Sequence, residues 1–482
     1  MTLIKGAFVH MVLSRQLVLA VSGIGMVALA RLLTPADFGI FATVLATFLL
    51  LEIVVRFGLV EYLISAPRLS TGMLRSALGL SLTIAAGMIG LAVAFLLTPF
   101  SAWLSSSLRL ALLVMLPGVA VIPLIVVPEA VLRRRLQFGV IAWLNVGTAT
   151  ADVSVSIALA LLGAGPLALV GGLVATRLTS AAILLATSRR LLRARWTGWR
   201  RFLAFAPHMT ATSLLPKASD FAVALIIPSA LGMAALGLYN RAQSVVSLLD
   251  KALLDGVGQV VLPALSDRLR AGAAMADVYG AQTARLSVLI WPVFAVLALL
   301  AEPAVLVLLG DQWTTAIPIV RILCAAGLVA PFTSMSTHFF AATGQIERYL
   351  RIQAANQFAT MICIGLGAFH SLEAVAWALV LSRALKALHI RQSLEASLGG
   401  VGRRGRRIDN LRAAAVSLLS LAGPALLLAA LPGGGPLVLF LGGILLAALG
   451  WMAGILVTRH PLLEDLRTLP ILTHPGFRRL RR

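Results

Sequence analysis

The chain has 482 residues, 60% of them hydrophobic and 12% charged, with a mean hydropathy of +0.97. No water-soluble domain carries that balance, so the sequence reads as a polytopic membrane protein. The formal charge of +22 would suit a nucleic-acid binder, but the basic residues fall in alternate loops, and that distribution argues against nucleic acid as a partner.

Windows of about 20 apolar residues, enough to cross a bilayer, number about 14. They lie near 8–30, 38–63, 74–97, 109–132, 139–162, 167–187, 207–228, 237–262, 286–309, 316–341, 352–370, 373–392, 413–431 and 437–458. The loops between them alternate. One set holds Arg68, Arg133 to Arg135, Arg189 through Arg201, Arg268, Arg270, Arg348, Arg403 through Arg412, and the tail from Arg459. The other set, at 164–166, 228–232, 310–313, 371 and 432–436, is nearly free of Lys and Arg. Positive charge stays on the cytoplasmic side, so the pattern predicts an even number of spans with both termini in the cytoplasm.

Taken in order, the first span carries Arg15-Gln16 inside an apolar run. It ends at Arg31-Leu-Leu-Thr-Pro-Ala-Asp-Phe-Gly-Ile, where Pro35 breaks the helix and Asp37 can open the next. The second span holds Glu52 and Arg56, four residues apart and therefore on one face within pairing distance. Pro117, Pro123 and Pro128 predict a kinked or broken fourth span. The fifth holds Asn145 and Asp152, the sixth Arg177. Residues 188–206, rich in Arg and Trp, read as a basic linker on the inner membrane surface.

That linker divides a six-helix lobe at 1–187 from a second at 207–392. The seventh span sets Pro216-Lys217 beside Asp220, predicting a kink next to a buried ion pair. The eighth carries Arg241, Asp250, Lys251, Asp255 and Gln259, with Arg241, Ser244, Lys251, Asp255 and Gln259 close to one face on a 3.6-residue period. A helix so apolar with that polar stripe suits one wet side. The tenth holds Arg321. Arg383 and Lys386 sit toward the inner end of the twelfth, placed to snorkel. A basic loop at 393–412 follows, then a charge-free accessory pair at 413–458 and a basic tail at 459–482. Cys324 and Cys363 lack metal-ligand spacing and read as packing residues.

Two stretches echo each other. Phe38-Gly39-Ile40-Phe41 aligns with Leu236-Gly237-Leu238-Tyr239, and without a gap Glu52 then falls on Asp250 and Gly58 on Gly256. Acidic residues are rare here, 18 in the chain, so the recurrence inside two apolar helices points to an internal duplication.

Several runs resemble the polysaccharide-export branch of the multidrug/oligosaccharidyl-lipid/polysaccharide exporter superfamily. These are Arg31-Leu-Leu-Thr-Pro-Ala-Asp-Phe-Gly-Ile-Phe-Ala, Ala235-Leu-Gly-Leu-Tyr-Asn-Arg-Ala, Val261-Leu-Pro-Ala-Leu-Ser, Leu308-Leu-Gly-Asp-Gln-Trp and Ala342-Thr-Gly-Gln. They fall in order over roughly 5–390. The resemblance implies an all-α membrane fold with two parallel-repeat six-helix lobes around a central cavity. It implies a flippase for an undecaprenyl-pyrophosphate-linked oligosaccharide, working by alternating access, without catalysis or cofactor. Polysaccharide polymerase and glycosyltransferases would be its pathway partners, and a monomer its expected state.

Among embedded groups, nine cations (Arg15, Arg56, Arg177, Lys217, Arg241, Lys251, Arg321, Arg383 and Lys386) face five acids (Glu52, Asp152, Asp220, Asp250 and Asp255). A cavity with surplus guanidinium suits a pyrophosphate, which Arg can grip with two parallel bonds. Gln16, Asn145, Tyr239, Asn240 and Gln259 are the candidate sugar partners. By resemblance Asp37 joins Arg15 and Arg56 as a cavity residue of the first two helices. The alternative is a cation-coupled drug exporter of the same superfamily, for which the five acids would supply the coupling site. An enzyme is disfavoured by short outer loops, with no nucleophile–base pair, metal cluster or phosphate-cradling loop in the sequence.

Overall fold

Apolar runs of 20 to 30 residues leave the backbone one way to satisfy its polar groups in lipid, and the regular structure in the described residues is helical throughout. The structure is a computed structural model that describes residues 2–188, 194–249, 275–342, 344–398 and 403–462. Asp250, Lys251, Asp255 and Gln259, with part of the expected linker and the basic tail, lie outside the described residues.

Among the described residues ten helices are long and apolar enough to cross a membrane, or 11 when one bent pair counts as a single span. The difference from 14 has two sources. The eighth span runs into undescribed residues. The eleventh and twelfth are present as helices Ile346–Ala368 and Leu372–Leu398, but ionisable side chains such as Arg348, Arg351, Arg383 and Lys386 dilute their hydropathy. The bent pair is the proline-rich fourth span: Ser106–Ala120 and Ile122–Arg134 meet at 41°, as the three prolines require.

The chain divides into two compact units, Met1–Asn240 and Arg241–Arg482. In the first, α1 (Thr2–Leu32), α2 (Pro35–Arg56), the short α3 (Leu59–Ser65), α4 (Thr71–Leu97), α5 (Ser106–Ala120), α6 (Ile122–Arg134), α7 (Phe138–Leu161), α8 (Pro166–Ser188) and α9 (Arg200–Leu231) precede the opening turns of α10 (residues 233–249). Helix α2 is the spine. Val44, Phe48, Leu51 and Val55 are buried in a core completed by α4, α5, α6 and α8. It starts with a capping box, Thr34 Oγ1 accepting from the Asp37 amide while Asp37 Oδ2 accepts from the Thr34 amide at 2.9 Å. That exchange satisfies two otherwise orphaned donors. It ends at Phe57 and Gly58, both left-handed (φ 43° and 60°), so the expected span at 38–63 is one apolar stretch, Pro35–Ser65, with a break between α2 and α3.

The sequence border at 188–206 differs from the division seen in space, which leaves α9 with the N-terminal helices. The reason is local. The Arg195 amide donates to the Arg75 carbonyl at 2.9 Å, and Phe202 is fully buried edge-on to Tyr62. Thr43 on α2 donates to the Ala224 carbonyl of α9 at 3.3 Å. The linker is thus laid on the first unit.

Two glycines then allow backbone to meet backbone. A Cβ on Gly39 would collide with the Met233 carbonyl, and a Cβ on Gly237 would collide with the Pro35 carbonyl. These are the positions that align in the two echoing stretches, and they face each other. Only glycine permits helices to approach so closely without lipid between them.

The second unit is built on α11 (Met275–Leu299), with α12 (Ala301–Leu308), α13 (Ile317–Leu328), α14 (Ser336–Ala342), α15 (Ile346–Ala368), α16 (Leu372–Leu398), α17 (Arg403–Ala430) and α18 (Pro436–Thr458). The final pair packs on α11. Val288 is buried with Ala413, Val416 and Ile455, and Trp451 Nε1 donates to the Val288 carbonyl at 2.8 Å. The pair is accessory in charge but built into this unit's core, with lipid-type residues such as Leu426, Leu445 and Val457 on its exposed face.

Candidate functional site

The second span places Glu52 and Arg56 one helical turn apart, and the structure pairs them: Arg56 Nε donates to Glu52 Oε1 at 2.9 Å. Three further charges from other helices extend the pair into a ladder inside the first unit. Arg177 of α8 donates through Nη2 to Glu52 Oε2 at 2.8 Å. Arg56 Nη1 reaches Glu129 Oε2 of α6 at 3.0 Å, and Arg133, one turn further along α6, pairs with Glu129 Oε1 at 2.6 Å. Charges alternate along Arg177–Glu52–Arg56–Glu129–Arg133, three cations to two acids.

Burial is deepest at Glu52 and least at the Arg133 end of the ladder. Side-chain exposure is 9% at Glu52, 20% at Arg177, 16% at Glu129 and 25% at Arg56, then 50% at Arg133. The Arg177 guanidinium carbon also lies 5.1 Å from the centroid of the fully buried Phe48 ring, over its electron-rich face. Each carboxylate oxygen of Glu52 and Glu129 has its own guanidinium donor, so the acids are satisfied. The cations are not: Arg177 Nε is buried with no hydrogen-bond partner. An unused donor edge on a half-fixed guanidinium beside a surplus positive charge is a handle for an acceptor group on a ligand.

Beyond the ladder, Arg134 caps the end of α3. Its guanidinium donates to the carbonyls of Leu63 at 3.0 Å, Ile64 at 3.1 Å and Pro67 at 3.2 Å, and to that of Ala66. These are the unpaired carbonyls at the end of α3, and a cation is the natural cap there. Within the basic run read as a topology signal, Arg134 therefore holds α6 to α3, while Arg133 extends the ladder along α6 itself.

Other expected site residues are dispersed. Arg15 is partly exposed on α1 with Gln16 beside it exposed, and Asn145 is exposed on α7. Asp152 of α7 faces Gly172 of α8, where a Cβ would strike its carboxylate. Asp37 serves the capping box. Lys217 and Asp220 pair at 2.8 Å but with 38% and 57% of their side chains exposed, so the expectation of a buried pair is corrected: the pair lies on the open face of this turn of α9, whose packed face carries the buried Ser219. Tyr239 is buried, 6% exposed, and Asn240 donates back to the Leu236 carbonyl at 3.0 Å, which ties up one edge of its amide. Arg241 is partly exposed at the start of the second unit. Arg321 is half exposed on α13, with Glu302 of α12 at 3.9 Å. Glu129 and Glu302 are the acids the sequence reading missed. Glu129 carried a visible signal, Arg133 four residues on.

The helix order, the broken spans and the apolar helices make an all-helical fold, and that fold is shared with solved transporters. The solved structure of the lipid II flippase MurJ, in an inward closed conformation, superposes with a TM-score of 0.75 at 12% identity, over 94% of this chain and 98% of that one. An inward-facing multidrug resistance MATE family transporter superposes with a TM-score of 0.55 at 14% identity, over 81% of this chain and 96% of that one. At such identities the likeness is one of fold.

Residues 28–318, more than half of the chain, match the family described as polysaccharide biosynthesis protein, and the chain belongs to it. Similar proteins are the succinoglycan biosynthesis transport protein ExoT of Rhizobium meliloti (strain 1021), 27% identical over 314 residues, and an uncharacterized membrane protein in the cps region of Klebsiella pneumoniae, 21% identical over 332 residues. The alignments take in 63% and 65% of this chain and 62% and 66% of those relatives, slightly under two thirds of their length.

Proposed function

We propose that the protein is a flippase that carries an undecaprenyl-pyrophosphate-linked oligosaccharide across the bacterial cytoplasmic membrane by alternating access, without covalent chemistry. The observation that carries the reading is the charge ladder of the first unit. It has a net positive charge inside apolar helices, both acids saturated, and a spare donor edge on Arg177. Ionisable groups at this depth are expensive and persist where they serve a site or pathway. A diphosphate offers many acceptor oxygens and no donors, so it complements unused guanidinium edges and not a carboxylate cluster.

Arg321 supports the same reading from the second unit. A guanidinium half exposed on a spanning helix is costly against acyl chains, so its surface is one that water reaches. Membership of a polysaccharide biosynthesis family, and the transport role printed for ExoT, support a glycan over a drug cation as the cargo. Glycosyltransferases and a polymerase would act before and after this step.

The test is export in a bacterium lacking its own exporter. Arg177→Lys retains a cation for Glu52 but loses the second donor edge. It should lower polysaccharide export at least about tenfold at unchanged membrane abundance. Arg15→Ala and Arg321→Ala should act in the same direction. Full export by all three variants removes the proposal.

A further inference from the structure

The chain from Ala194 into α9 is laid along α4 as a strap. The Arg195 amide donates to the Arg75 carbonyl at 2.9 Å, and a Cβ on Gly79 would collide with the Arg195 carbonyl. The strap therefore lies at backbone level on α4, over a face that Gly72, Ser76 and Gly79 keep low. Gly198 turns it into α9 through a left-handed φ of 83°, which glycine adopts without strain.

Held this way, the strap gathers guanidinium groups around the first turns of α4 and α9. Arg68, Arg195, Arg200 and Arg201 are exposed, and Arg75 is partly buried. Arg195 Nε donates to Thr197 Oγ1 at 2.8 Å, and Arg201 Nε donates to the Gly198 carbonyl at 3.1 Å. Each bond orients a guanidinium through its inner edge and leaves the two terminal nitrogens for a further acceptor. Among the described residues none of these arginines meets a carboxylate, and neither helix has an acid in its first turn. A Cβ on Gly72 would lie 3.4 Å from Arg195 Nη1. That cation thus sits against the positive end of α4, where like charges oppose unless an anion intervenes.

The neighbouring side chains indicate which anion. Trp196 is 59% exposed and Leu203 50% exposed among these cations. Helix α4 is itself a candidate span, and α9 runs into one at Ser213–Leu231, so the strap lies where spanning helices leave the apolar layer. Apolar bodies set among guanidinium groups fit that level, the ring and leucine toward acyl chains and the cations toward phosphates. A free anion would use the arginines and leave Trp196 and Leu203 in water.

We propose that the strap at 194–203 is a docking surface for anionic phospholipid headgroups of the surrounding bilayer, with Arg195 and Arg201 as its main phosphate contacts. The surface concerns the bilayer and not the cargo, so it does not depend on the exporter reading. The strap rests on the α4 backbone, and Phe202 packs edge-on to Tyr62 of α3. A lipid seated there holds α3, α4 and the start of α9 in one arrangement.

The experiment uses the full chain in phosphatidylcholine bilayers that carry a trace of photoreactive phosphatidylglycerol or, in parallel, photoreactive phosphatidylcholine. Crosslinked peptides are then mapped. Peptides covering 194–203 should take up the phosphatidylglycerol probe at least about fivefold more than the phosphatidylcholine probe, the attraction expected of a single guanidinium for anionic lipid. Arg195→Gln combined with Arg201→Gln should remove most of that excess at an unchanged melting temperature. Should the double variant not fold, Arg200→Gln, whose side chain has no hydrogen bond among the described residues, reads a loss in the same direction.

Equal labelling by the two probes overturns the surface, as does an excess of wild-type size in the folded variants. Displacement of phosphatidylglycerol by inorganic phosphate, at an ionic strength where sodium chloride leaves it bound, makes this a site for a free anion and overturns the lipid assignment as well.

Discussion

Helices α2 and α9 carry the same local signal, an acid and a base one turn apart in an apolar run, and they reach opposite outcomes. The contact distances are nearly equal, 2.9 Å for Arg56–Glu52 and 2.8 Å for Lys217–Asp220. Their surroundings are not. Glu52 is 9% exposed and receives a second guanidinium from α8, while Arg56 reaches a second carboxylate on α6. Lys217 and Asp220 are 38% and 57% exposed and bind each other. Spacing along one helix determines that a pair can form. Whether the pair becomes a network depends on what other helices bring to that face.

Energetics should separate the two sites. An exposed pair contributes about 0–1 kcal/mol. In a buried network, removing one member strands the others, at about 3–5 kcal/mol. The largest effect is therefore expected for Glu52→Ala, which leaves Arg56 and Arg177 without their shared acceptor. It should lose most folded protein on detergent extraction, with a clear fall in melting temperature. Glu52→Leu combined with Arg177→Met, which removes charge from both sides, should recover much of that loss; failure to recover would mean that shape and not stranded charge sets the cost.

Glu129→Gln comes next. It keeps the side-chain shape and one acceptor but withdraws the charge that holds Arg56 and Arg133, so a loss of about 1–3 kcal/mol is expected in the same melting assay. The smallest effect belongs to α9. Lys217→Ala or Asp220→Ala should change stability by less than about 1 kcal/mol. A loss there as large as that of Glu52→Ala would erase the contrast between the helices.

Much of the ladder was open to reading before any fold was known. Glu52–Arg56 and Glu129–Arg133 both show the four-residue spacing, although only the first was singled out. Arg177 was visible as a costly group with no neighbour in sequence to explain it. Its partner lies 125 residues away, and the Arg56–Glu129 bond spans 73. No periodicity within one helix carries such information.

By itself the sequence determined the membrane class, the position of nearly every helix, the proline break in the fourth span, and the echo that aligns Gly39 with Gly237. These follow from hydropathy, charge in loops and backbone chemistry, which act residue by residue along one chain. Tertiary structure decided that the two repeat glycines touch, that Tyr239 is enclosed while Lys217 is open, and which of the embedded charges share one ladder. Those outcomes depend on how each helix is rotated and set against its neighbours, and that is fixed by packing between segments far apart in the chain.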